Sequence, residues 1–111
     1  MNIQHKELSS GRWNNLSLVE QMANIGSEVE RAINWRNKNN LEYSQLAFDR
    51  ALELLDLTVL SEKNRTRLRE ILRTREALVD YFMFDNEYHT TDKDWKNYFM
   101  AFNHAARMSH N

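Results

Sequence analysis

Two stretches of this chain concentrate side chains able to do chemistry. The first is RTRLREILRTR, residues 65–75, with five arginines in eleven positions. Guanidinium groups bind phosphates and carboxylates through paired N–H donors. Arg65, Arg69, Arg73 and Arg75 are therefore the candidate contacts for an anionic partner. The second is the polar break DNEYHTTD, residues 85–92, followed by Asp94. Its Asp85, Glu87 and His89 are of the types that ligate metals or move protons.

Spacing argues against a built catalytic centre in either stretch. The chain has no HExxH, no paired ExxH of the diiron type, no Gly-rich phosphate loop and no GxSxG. Without Cys there is no disulfide, no thiolate metal site and no cysteine nucleophile. His104 and His110 fall at the end of the last helix, where a cation suits the dipole. The polar break reads as a solvated connection that ends in a helix cap, Thr91-Asp-Lys-Asp94, and no metal or cofactor is expected.

On a helical wheel, Arg65, Arg69 and Arg73 advance by four and form a drifting stripe beside an apolar face. Arg67 lies near the opposite edge. Glu62, Glu70 and Glu76 on the same segment can pair with these cations, each exposed pair contributing ~0–1 kcal/mol. Ion pairing is the preferred role. Arg75 differs, because it falls within the arc of Leu68, Ile71, Leu72, Leu78 and Val79. A charge there must snorkel to water or meet a carboxylate. Asp80, Glu28 and Asp56 are the candidate partners, and a buried pair would make Arg75→Ala cost about 3–5 kcal/mol.

The elements that carry these residues are helical. Among 111 residues there is no Pro and there are two Gly, too few for a turn-rich β architecture. Ser17-Leu-Val-Glu20 has capping-box spacing. Leu18, Met22, Ile25, Val29 and Ala32 then follow at steps of four and three, which predicts a helix over 17–37. Gly26 inside it either permits a close helix contact or is simply tolerated. NKNN, 37–40, is a turn. A second helix, 41–59, is apolar on most sides: Ser44, Phe48, Ala51, Leu55 and Val59 on one face, Tyr43, Leu46, Leu54 and Leu57 on another. It should be central, or covered by another subunit. A third helix spans 61–84. A fourth, 92–108, buries Trp95, Phe99, Phe102 and Ala106, with Tyr98 at its edge. Residues 1–16 form an irregular N-terminal arm whose Ile3, Leu8 and Trp13 can dock on the body. Trp13 and Trp35 lie off the clean stripes, where they can cover the bundle ends or anchor a partner. The expected fold is all-α, a four-helix antiparallel bundle in one domain over 17–111.

Ala32, Trp35, Ser44, Phe48 and Ala51, within EVERAINWRNKNNLEYSQLAFDRALELLD, resemble one tetratricopeptide unit, but no second copy follows at the 34-residue period. Over 17–108, SLVEQMANIGSEVERAI, AFDRALELLDL, RLREILRTREALVDYF and the aromatic last helix resemble small bacterial HEPN-type bundles and the helical domains that accompany minimal nucleotidyltransferases. That resemblance implies a helical bundle, a dimer and a nucleotidyltransferase partner. The family's ribonucleases carry Arg, four to six residues, then His. Here Arg75 to His89 is too long and Arg107 to His110 too short. The catalytic pair has no counterpart, so the resemblance implies a binding member.

Net charge is −1, so no global field draws the chain to nucleic acid or an anionic membrane. MNIQHKELSSGRW has no apolar core of signal-peptide length, and no run approaches the ~18 apolar residues of a membrane span. The expected protein is cytoplasmic and binds without catalysis, as a homodimer or with a protein partner through the second helix. Nucleic acid is a partner that the arginines allow and the rest of the chain does not favour. The alternatives are a nucleotidyltransferase accessory or RNA-binding bundle using Arg65, Arg69 and Arg73, and an enzyme using the 85–94 break.

Overall fold

A computed structural model describes residues 11–108; Ile3, Leu8 and His110 lie outside them. The described chain is all-α. A short helix α1 (Gly11–Asn14) is followed by α2 (Leu18–Asn37), α3 (Leu41–Leu60), a 3₁₀ segment (Glu62–Arg67), α4 (Leu68–Met83) and α5 (Asp92–Met108). The helix starts follow local signals. Ser17 Oγ accepts from Glu20 N and Ser17 N donates to Glu20 Oε1, a complete capping box. Asn40 Oδ1 accepts from Tyr43 N at the head of α3. Thr91 and Asp94 exchange the same reciprocal bonds at the head of α5.

The central element is α2, which packs along both α3 and α5. Its buried face runs Met22, Ile25, Val29, Ala32 and Ile33, and meets Ala47, Phe48, Ala51, Leu54 and Leu55 of α3. Ser44 Oγ closes this contact by donating to Ala32 O at 2.7 Å. The expected centrality of the second helix is therefore shared. α3 touches α1, α2, the 3₁₀ segment and α4, yet it leaves Tyr43 49% and Leu46 40% exposed while Leu54 is buried.

Gly26 is where α5 reaches α2. A Cβ built on Gly26 would stand 2.5 Å from Phe99 Cβ and 2.8 Å from its Cγ. The glycine is the space in which Phe99 sits, so of the two roles open to it the close contact holds. Around that anchor Trp95 and Phe99 stack at 6.0 Å, and Tyr98 meets both rings edge-on. At the other end of the interface Arg36 donates to Asp92 and to Tyr81 Oη, with its guanidinium 4.7 Å over the Tyr81 ring. One arginine thus ties the last turn of α2 to the first turn of α5 and to α4.

The third helix differs from expectation. Residues 62–67 form a 3₁₀ segment, and the α-helix starts at Leu68. The cause is Asn64, which is 3% exposed and turned inward. Its Nδ2 donates to Gln21 Oε1 and Thr58 O. Thr58 Oγ1 in turn accepts from Trp13 Nε1, and Gln21 Nε2 donates to Trp13 O. This buried network joins α1, α2, α3 and the 3₁₀ segment. It also docks residues 11–16 of the expected arm, with Trp13 1% exposed in the core.

Gly26→Ala is expected to destabilise the protein. Overpacking costs about 1–3 kcal/mol, against at most ~1 kcal/mol regained in helix propensity. Denaturant melts should show the loss. Equal or greater stability would mean that α2 and α5 can separate freely at this point.

Candidate functional site

The arginines do not form one site. Arg65 lies in the 3₁₀ segment, so the change of helical pitch at Leu68 takes it off the wheel that carries Arg69 and Arg73. All three are exposed. None takes part in the ion pairs found among the described residues. Arg67 pairs with Glu70, and that carboxylate raises the guanidinium's affinity for its proton. Arg75 Nε donates to Asp56 Oδ1 at 2.9 Å, so one expected partner is the actual one. The pair is not buried: the Arg75 side chain is 35% and the Asp56 side chain 53% exposed. The expected 3–5 kcal/mol therefore falls to ~0–1 kcal/mol for an exposed pair. The wheel misplaced Arg75 because, among the described residues, nothing packs on the outer part of the apolar arc of α4.

That uncovered arc is the most developed surface of the molecule. Leu72 is 45%, Met83 50%, Phe84 73% and Tyr88 49% exposed. Leu72, Val79, Phe84 and Tyr88 line an open groove of about 760 Å³, with Arg75, Glu76, Asp85 and Glu87 at its rim. A second cleft of about 400 Å³ opens between α4 and α5, walled by Arg73, Thr74, Ala77, Tyr88, Trp95 and Tyr98. Tyr88 is the ridge shared by both. The Glu76 carboxylate beside it pushes the Tyr88 phenol above its ordinary pKa. Burial does the same for Tyr98, opposed by its hydrogen bond with Thr74 at 2.9 Å.

The ridge rests on an ordered loop rather than a loose connection. Asp80 is 9% exposed, in the last turn of α4. Its carbonyl accepts from Phe84 N and Asn86 N, while its carboxylate accepts from Glu87 N at 2.9 Å and Tyr88 N at 3.1 Å. Asn86 brackets Thr90, donating to its carbonyl and accepting from its N–H. Thr90 Oγ1 accepts from Trp95 Nε1 and so joins the loop to α5. Asn86 and His89 adopt φ of 54° and 55°, the left-handed region that Asn and His visit more readily than most residues.

The structure gathers Arg73, Arg75, Asp85 and Glu87 around one surface and leaves Arg65 and Arg69 apart from it. Asp85, Glu87 and His89 are exposed at the loop surface. Among the described residues no three His, Asp or Glu side chains are grouped to hold a metal ion. The residues that sequence reasoning passed over are Phe84, Asn86 and Thr90, and it offered Asp80 only as a partner for Arg75, which pairs with Asp56 instead. Asp80 and Asn86 left a faint signal, an Asp in a last helical turn followed by an Asn suited to a left-handed turn. Among the described residues no helix is long and apolar enough to cross a membrane.

Asp80→Ala should cost about 1–3 kcal/mol, because two loop N–H groups lose a charged acceptor. Asp80→Asn, which keeps one acceptor oxygen, should cost less. Denaturant melts decide this. A fully stable Asp80→Ala would mean that the loop is held by its side chains elsewhere.

Comparison with protein-family models, with curated proteins and with solved structures found no match to this chain.

Proposed function

We propose that the chain is a non-catalytic binding protein, a four-helix antiparallel bundle of the cytosol that recognises a protein partner across the outward face of α4 and the 84–91 loop. The observation that supports this most is Phe84, 73% exposed beside an ordered loop. Burying a phenylalanine is worth about 1.5–3 kcal/mol, and here that gain is left to be taken on association. Leu72, Val79 and Tyr88 extend the same surface into a groove. Continuous apolar surface of this kind marks interaction sites on monomers, and aromatic side chains are the usual anchors. The expected contact through the second helix shifts accordingly, from α3 to α4. A second copy of the chain is one occupant that fits.

A second reading draws on Arg65, Arg69 and Arg73, three exposed guanidiniums outside every ion pair found. They suit a nucleotidyltransferase accessory, the role that the HEPN-type resemblance implies, or an RNA-binding bundle. An enzyme built on the 85–94 break has less support, because Asp85, Glu87 and Asp94 are exposed and the buried carboxylate next to the break, Asp80, is engaged by backbone N–H groups.

A photoreactive phenylalanine analogue in place of Phe84 should give a discrete crosslinked protein in host cells. Leu72→Asp should abolish the adduct while the purified variant melts within about 0.5 kcal/mol of the parent, as expected for a surface change. The same analogue in place of Met100 should give no such adduct. Light scattering tells a second copy from a different protein. No adduct, or one that survives Leu72→Asp, would defeat the proposal. RNA binding lost with Arg65, Arg69 and Arg73 all changed to Gln would favour the second reading.

A further inference from the structure

We propose that the notch between α2 and α3, walled by Arg31, Trp35, Tyr43 and Arg50, binds a nucleotide unit, its phosphate on the two guanidiniums and its base against the exposed Tyr43 and half-buried Trp35 rings. The notch has a volume of about 180 Å³ and shares no residue with the α4 surface. The inference does not depend on the proposed protein partner.

The notch has a buried support. Glu28 is 7% exposed, and its Oε1 accepts from Arg31 at 2.7 Å. Its Oε2 is buried, takes no hydrogen bond among the described residues and stands 3.9 Å from Arg50 Nη1. One carboxylate thus draws together two guanidiniums from different helices, fixing where they stand, and neutralises only one of them. The Arg31 and Arg50 side chains remain 63% and 39% exposed, so their outer N–H donors reach solvent. Two guanidiniums held near each other suit the several oxygens of a phosphate.

A third cation stands beside the two arginines. Lys38 Nζ lies 5.3 Å over the Trp35 ring and adds a third cation. Two of the acids on these two helices are engaged elsewhere. Glu30 lines the cleft between α2 and α5, and Asp49 accepts from Gln45. Glu42 is exposed in the first turn of α3, and Glu53 lies one turn beyond Arg50 with its Oε2 buried, so Glu28, Glu42 and Glu53 stand against the three cations. Beside the cations, Trp35 and Tyr43 meet edge to face at 4.9 Å, with Tyr43 49% exposed. Leu46, 40% exposed, extends the apolar edge. Cations interleaved with aromatic rings are what single-stranded nucleic acid uses: phosphates on the basic side chains, bases on the aromatic faces.

Two sources supply this chemistry, a free nucleotide and a nucleotide within a strand. The probes are adenosine monophosphate, single-stranded oligoadenylate RNA and inorganic phosphate, followed by amide chemical shifts and tryptophan fluorescence. Trp13 and Trp95 are buried, so a surface ligand reports through Trp35. The expected result is perturbation at Arg31, Trp35, Tyr43 and Arg50, with phosphate alone at least tenfold weaker than the nucleotide. Tighter binding of oligoadenylate, with a steep loss in salt, identifies a strand site. Equal affinity per nucleotide identifies a free-nucleotide site. Arg31→Gln with Arg50→Gln should weaken either at least tenfold. No binding at millimolar ligand would overturn the proposal. So would shifts that map to Arg65, Arg69 and Arg73, or equal binding of benzoate, a ring anion without phosphate. The shift map uses the unaltered protein, so it stands even if the double variant folds poorly.

Discussion

The close approach of Phe99 to Gly26 is the contact on which the arrangement of helices depends. It commits α5 to α2, and Arg36 secures the same pair at the far end through Asp92. With α3 on another side, α2 becomes the shared spine. The consequence falls on α4. It packs on α3 and meets α5 across an open cleft bridged by Thr74 and Tyr98. Its outward arc, Leu72 to Phe84, therefore stays in water although its residue types suit a core. The surface proposed for binding is thus a geometric consequence of where α5 is seated.

A second constraint sets the opposite end of the molecule. Gln21, Thr58 and Asn64 are all at most 3% exposed, and each has its polar groups paired with one another, with Trp13 or with backbone. A buried polar group left unpaired costs about 1–3 kcal/mol. Such a network favours the one register in which all its members meet. It explains why the chain between α3 and α4 tightens into a 3₁₀ segment, and why α1 is held by a tryptophan that is itself part of the network.

Helix existence was legible from sequence because its signals are local. Ser17 with Glu20 and Thr91 with Asp94 find their partners within three residues, and the apolar periods of α2 and α5 need no knowledge of the fold. The 3₁₀ segment was not legible, because the partners of Asn64 include Gln21, forty-three positions away. Arg75 was half legible: its partner Asp56 was among the candidates, yet a wheel shows which residues share a face and not whether that face is covered. The connection after α4 was legible as a loop, but its internal order was not, for a different reason. Asp80 and the amides it binds are seven and eight residues apart, close in sequence but outside any helix or hairpin pattern.

The account turns on the 84–91 loop being a built support that holds Phe84 and Tyr88 against the outer face of α4. Hydrogen exchange of individual loop amides tests this most directly. Glu87 and Tyr88, bonded to the Asp80 carboxylate, and Thr90, bonded to Asn86, should exchange well over tenfold more slowly than unstructured amides, and Asp80→Ala should release the first two while sparing Thr90. Exchange of all three at the unstructured rate in the unaltered protein would contradict the account, because the groove would then have no fixed wall to offer a partner.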